Sequence, residues 1–211
     1  MKKTLQRIPA LCAMCMLLVS CALPRPESAT LYDLGPARPM TGAPALPAIS
    51  VADVTAPGWL DRPLMFYRLN YQSDLQPRAY TQSRWMTPPT QMVTQRVKTR
   101  IAQAGGVVLP ASDGAANMPL LRIEADDFMQ VFDVPGKSVG RVTLRASLFR
   151  GRVLVAQQSF SSQVPAASAD AGGGARALAA ASDMAIADIM RWLAALPQRQ
   201  GDAMGRPAGA P

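Results

Sequence analysis

Histidine does not occur in this 211-residue chain, and its absence removes much of enzyme chemistry. There is no imidazole to act as acid or base near neutral pH, and no Ser-His or Cys-His couple. Cysteine is nearly as scarce. The chain has only Cys12, Cys15 and Cys21, so residues 22–211 offer no disulfide, no thiol nucleophile and no His/Cys zinc site. A fold built there must rest on its apolar core. Lysine beyond the first few residues is limited to Lys98 and Lys137. Aromatic residues make up 6% of the chain, too few to interleave with basic ones as a nucleic-acid footprint requires. The excess of Lys+Arg (22) over Asp+Glu (14) is scattered arginine without a run of five, so no nucleic-acid partner is expected. Ser-Lys and paired-carboxylate chemistry stay formally open, but no motif supports either. The expectation is a protein that is not an enzyme.

Long apolar runs are missing too, with one exception. Behind Lys2, Lys3 and Arg7 come ten apolar residues, Ala10–Val19. Ten residues cannot cross a hydrocarbon core about 30 Å thick, so the run reads as a signal-peptide h-region. Cys12 and Cys15 form a C-x-x-C spacing but sit inside that run and are discarded with it. The run ends Leu18-Val19-Ser20-Cys21, which resembles a bacterial lipobox. Leu18 would fill an apolar subsite, and small Ser20 lets a peptidase reach the bond before Cys21. The resemblance implies cleavage between Ser20 and Cys21, with diacylglycerol on the Cys21 sulfur and a further acyl chain, of the palmitate kind, on its amine. Each buried methylene contributes about 0.8 kcal/mol, so three chains make a lasting anchor. No other cofactor and no metal is expected. The bland alternative is an ordinary secretory signal with a chance cysteine.

Residues 1–20 thus read as a lipoprotein signal, and 21–29 as the lipidated end with a short proline-bearing tether. At about 3.3–3.6 Å per residue the eight residues 22–29 reach at most ~25–30 Å, which keeps the domain beside its membrane. Ala22 rather than Asp follows Cys21. By the sorting rule of enteric-type bacteria this favours the outer membrane, and there the periplasmic face.

Residues 30–196 read as one domain. Thr30–Leu34 is a short strand, followed by an irregular Pro/Gly/Ala-rich loop to Pro47. Ala48–Val54 and the aromatic Leu64–Tyr71 are strands, and Arg78–Trp85 pairs with the latter as a hairpin. Thr87 as N-cap and Pro88 at the first position open a helix. Its stripe is Val93, Val97, Ile101 and Ala104, with Gln91, Thr94, Gln95, Lys98 and Arg100 on other faces, and Gly105-Gly106 closes it. Gly106–Leu109 begins a short strand, and residues 110–118 are a polar loop. Leu121, Ile123 and Ala125 alternate with charged residues, as do Val142, Leu144, Ala146 and Leu148 with polar ones. Val153–Val164 returns after Arg150-Gly151. Such period-2 patterns predict antiparallel strands with one covered face. A helix over about 175–195 carries Leu178, Ala181, Ala185, Ile189, Trp192 and Leu196 and stops at Pro197. Residues 197–211 read as a disordered tail. The fold class is α+β: a mostly antiparallel or mixed sheet with two amphipathic helices packed on it.

Four stretches invite a functional reading. Gly172-Gly173-Gly174 precedes a helix but lacks the Gly-Lys-Ser/Thr ending of a phosphate loop, so it reads as a linker. Glu124, Asp126 and Asp127 could gather a metal, but consecutive strand residues face opposite ways, which favours a solvated face or a bulge. Phe128–Gly136 lies where a polar turn is expected, yet is rich in large apolar residues. Either Phe128, Val131 and Phe132 form an exposed partner or lipid contact, or the strand continues through Phe132 and buries them. Tyr67, Tyr71, Tyr80 and Trp85 on neighbouring strands read as cross-strand aromatic packing, with a lipid groove as the rival.

Several of these pieces in order resemble one family. They are Tyr32-Asp33-Leu34-Gly35, Met65-Phe66-Tyr67-Arg68-Leu69, Ser83-Arg84-Trp85 before Pro88-Pro89, Phe128–Asp133 and the Trp192-bearing helix. Over roughly 30–196 the chain is similar to the ABC-type transport auxiliary lipoproteins typified by paraquat-inducible protein C. The resemblance implies a non-enzymatic auxiliary of an intermembrane lipid transport system that supports envelope integrity. Its implied partners are an MCE-domain protein, an ABC transporter or related membrane components, and further copies of itself. The rival reading is a structural or assembly lipoprotein working with an outer-membrane β-barrel.

Overall fold

The structure, a computed structural model, describes residues 28–38, 42–44, 46–110 and 118–197. The lipobox, most of the tether, most of the polar loop after Pro110 and the tail beyond Pro197 lie outside them. In chain order the elements are β1 (Thr30–Tyr32), β2 (Ile49–Val51), β3 (Leu64–Leu69), β4 (Pro77–Trp85), α1 (Pro89–Gln103), β5 (Val108–Pro110), β6 (Pro119–Val134), β7 (Lys137–Arg150), β8 (Val153–Pro165) and α2 (Ala171–Ala195).

The long β6, β7 and β8 form an antiparallel meander, because alternation gives each strand one apolar face and two tight turns join them. Each turn uses a glycine at positive φ, Gly136 at 74° and Gly151 at 58°, a region that costs other residues energy. The free edge of β6 is shared by two shorter strands. Its first half takes β2 in parallel, with β5 beyond, and its second half takes β3 in parallel. Antiparallel β4 and parallel β1 extend from β3. The result is a mixed eight-stranded sheet, the α+β class expected.

A bulge between Ala125 and Asp127 organises β6. Before it Leu121, Ile123 and Ala125 face the core; after it the parity switches, and Phe128, Gln130 and Phe132 take that face. Phe128 meets Trp85 edge to face at 5.5 Å, and Phe132 meets Tyr67 at 6.1 Å. Met129 and Val131, on the other face, are also buried, in register with Arg141 and Arg68, whose long stems lie alongside.

Both helices cover one face of the sheet. The Val93, Val97 and Ile101 stripe of α1 is buried as expected, and so are Leu178, Ala181, Ala185 and Ile189 of α2. Trp192 packs on Phe160 at 5.7 Å. Two helix boundaries differ from the sequence reading. The cap of α1 is Pro88, with Pro89 at its first position and no side-chain cap. Helix α2 starts at Ala171, so Gly172, Gly173 and Gly174 form its first turn rather than a linker. Asp170 caps it by accepting from the Gly173 N–H at 2.7 Å. Close approach explains the glycines, since a Cβ at Gly173 would overlap the Ser168 carbonyl, and one at Gly174 the Gln130 amide.

Candidate functional site

Ser20 and Cys21 lie outside the described residues. Phe128, Val131 and Phe132 are 1%, 1% and 7% exposed. Their reading as an exposed contact is therefore replaced by the other one: β6 runs on to Val134 and buries them, because the bulge turns Phe128 and Phe132 inward.

Just beyond Phe132, exposed apolar groups sit on two adjacent turns. The β3–β4 turn carries Tyr71 (42% exposed) and Leu75 (85%), and the β6–β7 turn carries Val134 (49%). Parallel pairing of β3 with β6 puts both turns at one end of the sheet. They are tied there by Asn70, whose N–H donates to the Phe132 carbonyl at 2.9 Å and whose amide donates to Asp133 at 2.7 Å. Gln72 and Ser73 both donate to the Leu69 carbonyl, which closes the first turn. Four charged groups flank this end, Asp74, Asp133, Arg78 and Lys137. The opposite end of the sheet carries exposed Val153, Leu154 and Val155. An apolar cleft of about 30 Å³ lies there between Ile49, Leu148, Val155 and Leu193, room for one water rather than an acyl chain.

Between the sheet and the start of α2 lies a buried polar chain. The Tyr80 hydroxyl donates to Gln130 Oε1 at 2.8 Å, and Gln130 Nε2 donates to Ser138 Oγ at 2.8 Å. Gln130 is fully buried. Burial, then the neighbouring Tyr67 and Asp170, push the Tyr80 hydroxyl up to about 12, so it stays a donor at neutral pH. The Gly173 N–H and the Ser168 hydroxyl hold the Asp170 carboxylate below the usual range. This chain holds no nucleophile with an adjacent base. It satisfies polar groups under a tightly seated helix.

Several charged groups elsewhere are paired. On the outward face Arg145 bridges Glu124 at 3.0 Å and Asp126 at 2.9 Å, while Arg141 holds Asp127 at 2.6 Å. The bulge brings all three acids to one face, against the expectation that neighbours in a strand point apart, but arginines occupy them. Burial pushes the Asp127 carboxyl up despite Arg141. Among the described residues no His/Cys/Asp/Glu group could hold a metal ion. Between the helices, Arg100 grips Asp183 with both of its oxygens at 3.0 and 2.5 Å, and Arg96 adds a contact at 3.4 Å. Arg96 also donates to the Leu34 carbonyl. Thr94 is buried too and accepts from the Val54 N–H at 2.8 Å. Periodicity alone places Thr94 and Arg100 on other faces. Tyr67 and Tyr80 pack at 4.6 Å, the cross-strand contact expected, whereas Tyr71 is set apart at the exposed turn.

A family model described as "ABC-type transport auxiliary lipoprotein component" matches residues 30–190. A crystal structure of a DUF330 protein from Xanthomonas campestris is similar at 20% identity and a TM-score of 0.67, covering 77% of this chain and 94% of that one. A second, uncharacterised protein of known structure is 17% identical at a TM-score of 0.61, covering 79% and 99%. At these identities both likenesses concern the fold. No curated protein matches the chain significantly.

Proposed function

Because the chain belongs to the ABC-type transport auxiliary lipoprotein component family, we propose that it is a non-catalytic lipoprotein of the outer membrane that serves an intermembrane lipid transport system. In this reading Cys21 carries diacylglycerol and an N-acyl chain and holds the domain on the periplasmic face. The domain docks an MCE-domain protein that works with an ABC transporter or related membrane components. Further copies of the chain assemble beside it, and the 13-residue edge strand β8, which among the described residues pairs only with β7, offers a backbone edge for that. The observation that carries the reading is the family match over nearly the whole described domain, placed directly behind Leu18-Val19-Ser20-Cys21. Genetic complementation tests the reading. Deleting the gene should make cells as sensitive to detergent as deleting the gene of the MCE-domain partner, with no further loss in the double deletion. Wild-type protein should restore resistance and Cys21→Ser should not. Full rescue by Cys21→Ser, or an additive double deletion, would count against the reading.

A further inference from the structure

We propose that the two hairpin turns carrying Tyr71, Leu75 and Val134 rest in the interface of the same bilayer that holds Cys21, so that the domain stands on its turns. The inference rests on the anchor assigned above and adds an orientation to it.

The first ground is direction. Strand β1 runs parallel to β4, with Thr30 opposite Ser83 and Tyr32 opposite Trp85. Traced backwards from Thr30, the chain therefore heads along β4 towards Pro77 and the β3–β4 turn. The parallel β3–β6 pairing brings the β6–β7 turn to that same end. The Val153–Val155 patch and the end of α2 lie at the other, where the cleft joins Val155 to Leu193.

The second ground is length. Thr30 is level with Ser83, and the eight residues from there to Leu75 span about 26 Å at ~3.3 Å each. The nine steps from Thr30 back to Cys21 reach at most about 30–32 Å. With Cys21 at the headgroup level and the sheet upright, the turns cannot stand off by more than a few ångströms. A tether of this length brings the turns to the lipid.

The third ground is composition. Leu75 is the most exposed large apolar side chain among the described residues, at 85%, and Tyr71 and Val134 stand beside it. Tyrosine with leucine and valine suits a surface whose outer part is wet and inner part apolar. Asp74 and Asp133 balance Arg78 and Lys137, so apolar contact rather than charge holds this end, and binding should not depend on anionic lipid or salt.

The test uses the full-length lipidated protein in vesicles of phosphatidylethanolamine and phosphatidylglycerol. Residues 22–211 contain no cysteine and the Cys21 sulfur is occupied, so one introduced cysteine takes one fluorescent label. Labels at Leu75→Cys and Val134→Cys should be quenched by a headgroup-borne quencher lipid, and a label at Leu154→Cys should not. Raising salt or replacing phosphatidylglycerol by phosphatidylcholine should leave that pattern unchanged. In Leu75→Glu/Val134→Glu, a label at Tyr71→Cys should lose its quenching while the protein still floats with the vesicles. Protein that floats with unquenched turn labels, or with Leu154 quenched instead, overturns the orientation alone. Protein that does not float overturns the anchor and the orientation together.

Discussion

Replacing Asp183 by Asn should be among the most damaging single changes on either helix. Among the described residues Asp183 is the one carboxylate gripping Arg100 and Arg96, whose side chains are 3% and 5% exposed. The substitution keeps the volume and removes the charge, leaving two guanidiniums side by side beneath the helices. Losing one partner of a buried ion pair costs about 3–5 kcal/mol. Asp183 itself is 28% exposed, and water reaching it softens the loss to about 2–3 kcal/mol. For a domain of this size each kcal/mol moves Tm by about 2–4 °C, so a fall of about 4–12 °C is expected. Thermal unfolding of the purified full-length protein, followed by circular dichroism, reads this directly. Asp188→Asn is the control, because Arg191 and Asp188 form an exposed pair one helical turn apart, worth about 0.5 kcal/mol or less. If Asp183→Asn melted with the wild type and Asp188→Asn did not, the assignment of the interhelical cluster would be refuted.

Gly140→Ala should destabilise by about 1–3 kcal/mol or more through overpacking, because its Cβ would lie 2.5 Å from the Leu178 nitrogen and 2.6 Å from the Ala177 carbonyl carbon; a lowered urea midpoint would show it. Tyr80 titrates about two units higher folded than unfolded, so above pH 10 only the unfolded state sheds its proton and stability falls until about pH 12. The loss between those values, about 1–2 kcal/mol after allowing for partial exposure, should shrink in Tyr80→Phe when denaturant midpoints are compared across pH. Phe128→Asp should abolish soluble folded protein by burying an unpaired charge against Trp85, whereas Leu75→Glu should change stability by no more than about 0.5 kcal/mol. Expression yield and melting curves separate the two.

Much of the fold was legible because its signals are local. Alternation in Leu121–Ala125 and Val142–Leu148 marks strands, and 3.6-residue spacing in Val93–Ile101 and Leu178–Ile189 marks helices. What stayed hidden depends on partners far away in sequence. The burial of Phe128 and Phe132 follows from a one-residue bulge that no pattern announces, and the same bulge gathers three acids on one face. Gly172–Gly174 looks like a linker by propensity yet forms the first turn of a capped helix, and Gly173 and Gly174 are glycines because Ser168 and Gln130 leave no room for a Cβ. Arg100 and Thr94 look solvated on a single helix and are buried because a second helix and the Val54 segment cover them. The exposed turns could have been suspected from Leu75 and Val134 flanking turn residues, but only the parallel β3–β6 pairing puts them side by side.

The measurement closest to the central claim is affinity purification of the lipidated protein from crosslinked cells, with mass spectrometry of the proteins and lipids that accompany it. The account predicts an MCE-domain protein and ABC transporter subunits in the eluate, with an acylated Cys21 as the first residue of the recovered chain. Recovery of an outer-membrane β-barrel protein in their place, or of a chain whose first residue is an unmodified one, would contradict it.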